Sequence, residues 1–270
     1  MKKVWLFTGA VIAVVAGTVT MPMGDEVAAP ESLIAHVDPF IGVDKGGNTV
    51  PGAGVPFGFV RLSPDTTTPG TSGYNSAGDI LGFSHTHVSG TGGASKYGNF
   101  LTTPAVGELR ISDRGSSKAE ETASPGHYSV RLTRDGIKAD LTATRLVGMH
   151  RYTFPPARQV HVLIDVGSVI RPGREHPWSQ KPIECTARII APNRIEGTGR
   201  FTGGWNPAPY TLYFSAEFDR AFIAAGTWEG EKIERGSVAA QGERVGAFAT
   251  FDTRRDSVVH VKVGVSFISA

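Results

Sequence analysis

The feature that most constrains the fold is a side-chain alternation near the end of the chain. Val259, Val261, Val263, Val265 and Phe267 are separated by Val258, His260, Lys262, Gly264 and Ser266. A period of two with one apolar face is the signature of a strand, because successive side chains of extended backbone point to opposite sides. Val245, Ala247, Ala249 and Phe251 repeat the pattern. So do Ile137, Ala139, Leu141 and Ala143, as well as Tyr128, Val130 and Leu132. His150, Tyr152 and Phe154 form a further short run, stopped by Pro155 and Pro156, which cannot donate to a ladder. Residues 160–166 and 210–218 are more densely apolar, which predicts strands covered on both faces. Turn residues separate the runs: Arg134-Asp135-Gly136, Pro192-Asn193, Gly203-Gly204 and Gly226. Helical periodicity is nearly absent past the first 30 residues, and 34 Gly and 17 Pro are many turn formers. The chain is therefore predicted to be all-β, an antiparallel sandwich of two large sheets.

The N-terminus predicts export. Lys2 and Lys3 precede an uncharged stretch, VWLFTGAVIAVVAGTV, and small residues follow. That stretch is shorter than the roughly 20 apolar residues of a spanning helix, so residues 1–29 read as a signal peptide and short leader. An uncleaved membrane anchor is the competing reading. Residues 30–270 read as one domain, secreted or periplasmic and free of the membrane after signal cleavage. The single cysteine, Cys185, precludes an intramolecular disulfide. It lies in an alternating run, which predicts a buried structural thiol. With 27 Lys+Arg against 25 Asp+Glu, nothing in the charge favours nucleic acid as a partner.

Two Gly-rich segments interrupt the alternation, residues 38–65 and 82–104. Both read as long loops, and functional groups concentrate on loops held by a rigid scaffold. His85 and His87 stand two apart, on one side of the chain if it is extended. They could be part of a metal site, could hydrogen-bond to sugar hydroxyls, or could tie loops together. Metal binding needs further ligands, and no Glu follows at the spacing of a cupin motif. Gly90, Thr91 and Gly92 lack the Lys-Ser/Thr that ends a phosphate loop. Their functional reading is a tight turn bringing backbone N–H groups to a ligand. Tyr74, Trp178 and Trp205 lie in Gly- or Pro-rich surroundings where a ring could stack on a sugar. Asp38, Asp65, Asp79, Glu108, Asp165 and Glu217 are candidate carboxylates, but no spacing marks the pair that glycoside hydrolysis needs. Asp38 and Asp65, each beside a proline, read as turn residues, and Glu120-Glu121 reads as a solvated loop.

Four blocks carry a resemblance: DPFIGVDKGGNTVPGAGVPFGFVRLSPDT, GFSHTHVSGTGG, ASPGHYSVRL and DLTATRLVGMHRYTF. Their order and spacing resemble the N-terminal domain of glycoside hydrolase family 92, from about His36 to the chain end. The chain departs from the family pattern at Gly93, often Cys, and at Asn99, often Asp. The resemblance implies a supersandwich of the galactose-mutarotase-like type, followed in the family by an (α/α)6 helical domain. It implies calcium-dependent, inverting exo-α-mannosidases that act on mannose-containing glycans. The acid, the base and most of the calcium site are expected in the helical domain. On this chain it implies no catalytic residue and no metal ligand. It points to a sugar subsite drawing on Tyr74, His85, His87, Gly90, Thr91 and Gly92. The helical domain, in cis or as a separate chain, is the expected partner. Alone, the chain is expected to be a truncated, inactive domain, or alternatively a stand-alone sugar-binding sandwich without catalysis.

Overall fold

A computed structural model describes residues 32–44, 48–88, 96–170, 179–204 and 208–270. The predicted signal segment lies outside the described residues. After a short 3-10 turn, Leu33–His36, the chain lays down β1 (Ala53–Gly54), β2 (Arg61–Thr66), β3 (Ile80–Ser84) and β4 (Leu101–Val106) in one sheet. It then crosses to build β5 (Lys118–Ser124), β6 (His127–Leu132), β7 (Ile137–Ala143) and β8 (Val147–Thr153) in a second. Strand β9 (Val160–Asp165) returns to the first sheet, and β10 (Lys181–Ala191), β11 (Arg194–Thr202) and β12 (Tyr210–Phe218) extend the second. The remainder alternates: β13 (Ala224–Glu229), β14 (Lys232–Arg235) and β16 (Val245–Phe251) join the first sheet, and β15 (Ala239–Gly242) and β17 (Val258–Ser266) the second. The orders are β1-β2-β3-β4-β9-β16-β13-β14 and β15-β10-β11-β12-β17-β8-β7-β6-β5. Every pairing among the described residues is antiparallel. The all-β antiparallel sandwich stands as read from the sequence.

The alternation explains the core. Val259, Val261, Val263 and Val265 of β17 all bury between the sheets, beside Leu212, Phe214, Ala216 and Phe218 of β12. A buried valine contributes about 1.5–3 kcal/mol, and a one-residue slip would turn the whole set outward. Cys185 is buried in the same core, as predicted. Gly136, at φ +66°, closes the β6–β7 hairpin.

Three readings are corrected. Strand β16 is buried throughout rather than on one face. Leu163, Trp228 and Phe248, on the other face of the first sheet, are covered by Leu109 and Ile111 from the segment after β4. A Cβ at Gly246 would come within 2.1 Å of the Trp228 ring, so glycine there lets the indole lie against the sheet. Gly226 is not a turn residue. It sits inside β13 opposite Arg235, where a Cβ would meet the Glu234 carbonyl oxygen at 2.5 Å. Strand β12, expected to be covered on both faces, instead alternates buried and partly open positions.

Candidate functional site

The register brings several loop stems to one end of the sandwich. Leu101 pairs with Asp165, His85 N–H donates to Asn99 O, and Phe201 pairs with Tyr210. Described residues from β4, β9, β11 and β12 and from residues 85–99 therefore meet at this end. A polar network ties them. Thr86 Oγ1 donates to Asn99 Oδ1 at 2.9 Å and accepts from Asn99 N–H at 2.8 Å. Asn99 Nδ2 donates to Ser168 O at 3.3 Å, and Tyr210 O–H donates to Asn99 Oδ1 at 3.3 Å. Gln180 Nε2 donates to Tyr210 Oη at 2.8 Å, while Gln180 Oε1 accepts from Tyr97 N–H. Tyr97 and Phe100 hold left-handed backbone at φ +67° and +59°. Such conformations persist where the surroundings over-determine them. Here the Phe100 ring is fixed against Phe214 at 4.8 Å, and Tyr97 O accepts from Ile170 N–H at 2.7 Å. Gly90, Thr91, Gly92, Trp178 and Trp205 lie outside the described residues.

His85 is turned into the core. Its ring is fully buried, and Nδ1–H donates to Phe100 O at 2.8 Å. With Nδ1 protonated, Nε2 is the acceptor of a neutral ring. It faces His150 Nε2 at 3.0 Å, which must then donate, and Tyr152 O–H donates to His150 Nδ1 at 2.8 Å. Burial lowers the pKa of His85 to about 4 and that of His150 well below its ordinary value. Two neutral rings satisfy every hydrogen bond in the chain. A Cβ at position 148 would reach the His85 ring at 2.7 Å, so Gly148 makes room for it.

His87 is different. Its Nδ1–H donates to Arg61 O at 2.8 Å, and Nε2 lies 2.7 Å from Asp65 Oδ1, with Ser84 Oγ at 3.2 Å. A carbonyl and a carboxylate flank the ring, so both ring nitrogens are held by hydrogen-bond partners from β2. Asp65 sits beside the register shift in the β2–β3 pairing and lines an open cleft, so it is no simple turn residue. The two histidines of the motif thus diverge in role, one to the core and one to a cleft carboxylate.

Tyr74 is also displaced from its expected place. It is 1% exposed, and its hydroxyl donates to the Glu121 carboxylate at 2.9 and 3.0 Å. Tyr128 donates to the same group at 2.6 Å. Burial, and then the Glu121 charge, raises the pKa of Tyr74. A ring enclosed in this way has no face for a sugar, and Glu121 belongs to β5 rather than to a solvated loop. Asp38 is the Asx-turn residue expected, accepting from Phe40 N–H at 2.9 Å.

The residues do not fit calcium. Among the described residues no three His, Cys, Asp or Glu side chains gather to hold a metal ion. The two cleft carboxylates are engaged by cations or imidazole, Asp65 by His87 and Asp165 by Arg114. Calcium takes six to eight oxygen ligands, which these engaged carboxylates do not supply.

The glycosyl hydrolase family 92 N-terminal domain matches residues 36–266. A family GH92 alpha-mannosidase from Bacteroides thetaiotaomicron aligns with a TM-score of 0.80 and 32% identity, over 89% of this chain and 34% of that one. That enzyme has also been solved in complex with mannoimidazole. A family GH92 inverting mannosidase from the same species aligns at 0.68 with 25% identity, over 83% of this chain and 29% of its own. An uncharacterized secreted glycosidase from Arthroderma benhamiae is 29% identical over 135 residues, 46% of this chain and 17% of that protein. The chain spans about a third of the length of the two mannosidases.

Proposed function

Because this chain belongs to glycosyl hydrolase family 92, whose N-terminal domain it carries, we propose that it is the carbohydrate-contacting portion of an exported α-mannosidase-type enzyme acting on mannose-containing glycans. The observation that carries the proposal is the Thr86–Asn99–Gln180–Tyr210 network, which joins distant parts of the chain at one end of the sandwich. Polar side chains held in such a network need little further ordering to present contacts to a ligand. In this reading Asn99, Gln180 and Tyr210 are positioning residues, and so is His85, which holds Phe100 O from within the core; Tyr74 is a core residue held by Glu121. Gly90, Thr91 and Gly92 belong to the sugar-contacting loops. The catalytic acid and base, and the calcium ligands, are supplied by a helical domain.

An apolar patch at the same end supports such a partner. Phe57 is 95% exposed, Ile268 is 86% exposed, and Phe267 stacks on Phe59 at 4.8 Å. Backbone bonds from Phe59 to Arg145 and from Val265 to Leu146 join these segments. Exposed aromatic clusters of this kind mark interaction sites, and we assign this one to the helical domain. Export rests on the N-terminal sequence pattern; among the described residues no helix is long and apolar enough to cross a membrane.

Calorimetry with methyl α-mannoside tests the reading. The chain is expected to bind the mannoside and not the galactoside, and Asn99→Ala should weaken binding at least fivefold. Absence of mannoside binding would remove the carbohydrate role. Release of p-nitrophenol from its α-mannoside by the chain alone, in calcium, would overturn the assignment of acid and base to the helical domain.

A further inference from the structure

A second site is built on the outer face of the first sheet. An open cleft of about 340 Å³ runs from Asp65 to Trp228, with Arg114, Asp165, Ser168 and Ile170 among its walls. Its volume lies at the lower end of the roughly 300–1,000 Å³ range of small-molecule sites.

The polar groups of the cleft are fixed, yet not all are used. Arg114 Nε–H donates to Ile111 O at 2.6 Å, and Nη2 donates to Asp165 Oδ2 at 2.5 Å. The guanidinium carbon lies 6.0 Å from the Trp228 ring centre, at the outer limit of a cation–π contact. Nη1 is buried and has no partner among the described residues. A buried donor without an acceptor is destabilising, because it has lost its water without gaining a partner. Opposite in chemistry stands Asp65: His87 engages Oδ1 and leaves Oδ2 as an acceptor. Arg114 neutralises Asp165, and Asp65 Oδ1 is held by the His87 ring.

We propose that this cleft is a further carbohydrate subsite, taking a neutral hexopyranose whose hydroxyls accept from Arg114 and donate to Asp65. A hydroxyl is both donor and acceptor, so one ring can satisfy both walls. An anion would gain at Arg114 and meet repulsion at Asp65 and Asp165. His87 is the positioning residue that orients the Asp65 carboxylate. The ligand class rests on the carbohydrate reading above; the location does not.

The test is an amide and indole NMR titration of the full chain with methyl α-mannoside, and separately with inorganic phosphate. Saturable shifts at the Trp228 indole and at Ser168 are expected with the mannoside and none with phosphate. Arg114→Lys keeps a charge for Asp165 and removes the free donor; it should weaken the cleft titration at least tenfold. Shifts at Gln180 and Tyr210 should be unchanged by it. Asp65→Asn keeps an oxygen for His87 and should weaken the cleft similarly, which serves if the arginine variant fails to fold. Mannoside shifts confined to Thr86, Asn99, Gln180 and Tyr210 would overturn the cleft and leave the main reading standing. Shifts at neither place overturn both, and phosphate binding at Trp228 overturns the neutral ligand.

Discussion

The Nε2 atoms of His85 and His150 lie 3.0 Å apart in a fully buried position, and only one of them carries the proton. The arrangement holds both rings neutral, because a second proton would place a charge where nothing solvates it.

Acid sensitivity follows from the sign of these shifts. The folded value of His85 is lowered from 6.5 to about 4. Its neutral form therefore contributes stability that is complete above pH 6.5 and is lost as pH falls through about 4. Over that window the unfolded chain takes up protons that the folded chain refuses. The loss is roughly 3 kcal/mol for His85, and His150, shifted the same way, adds to it. Urea unfolding midpoints measured from pH 7 to pH 4 should fall steeply; a flat profile would show that the rings are charged or exposed.

Glu121 should be a stability residue rather than a surface one. Its carboxylate accepts from Tyr74 and Tyr128. Hydrogen bonds to a charged group contribute about 1.5–3 kcal/mol each. Glu121→Ala leaves two buried hydroxyls unpaired and should cost more than either tyrosine-to-phenylalanine change. Chemical denaturation of the three variants measures this. Equal cost for all three would mean that the hydroxyls find other partners.

Gly73 should tolerate no side chain. Its φ is +104°, and a Cβ would stand 2.7 Å from Asp65 Oδ1 and 2.8 Å from Ile170 Cδ1. Gly73→Ala adds left-handed strain of about 1 kcal/mol to that overlap and pushes Asp65 off His87. Lower stability together with altered His87 ring signals by NMR is the expected result. Unchanged His87 signals would mean that the loop yields instead of the carboxylate.

Cys185 should be inert in the folded chain. Burial pushes its thiol up to about 12, and the side chain is enclosed in the core. The thiolate is the reactive form, so labelling by iodoacetamide at pH 8 should be negligible until denaturant is added. Rapid native labelling would place the thiol outside the core.

What the sequence disclosed and what it hid divide along contact distance. The β17 valines were legible because alternation is written in neighbouring residues. Burial of Phe248 was not, because its cover comes from Leu109 and Ile111, more than a hundred residues away in the chain. Glu121 read as solvated because its partner Tyr74 lies 47 residues back. Asn99 and Tyr210, 111 residues apart, meet only once the two sheets are stacked. The first Gly-rich segment was read as a loop, yet β1 and most of β2 fall within it. Which side chains join Thr86 and Asn99 was a tertiary fact, and the His85-Thr86-His87 motif concealed that its two rings point to different partners.

Phe57 links strain to the proposed docking surface. It holds φ +57° while its ring is 95% exposed, so the protein bears a backbone cost without recovering any burial. Left-handed backbone costs a non-glycine residue roughly 1–2 kcal/mol. Phe57→Gly removes that strain and most of the exposed aromatic surface, so the domain alone should gain up to about 1 kcal/mol. If the ring instead packs on a helical domain, the same change removes about 1.5–3 kcal/mol of burial there. Association with a separately produced helical domain should then weaken by at least tenfold. The two measurements, unfolding of the domain and titration of its partner, should move in opposite directions. Weaker folding with unaltered association would place the Phe57 ring in the fold of this domain and the docking surface elsewhere.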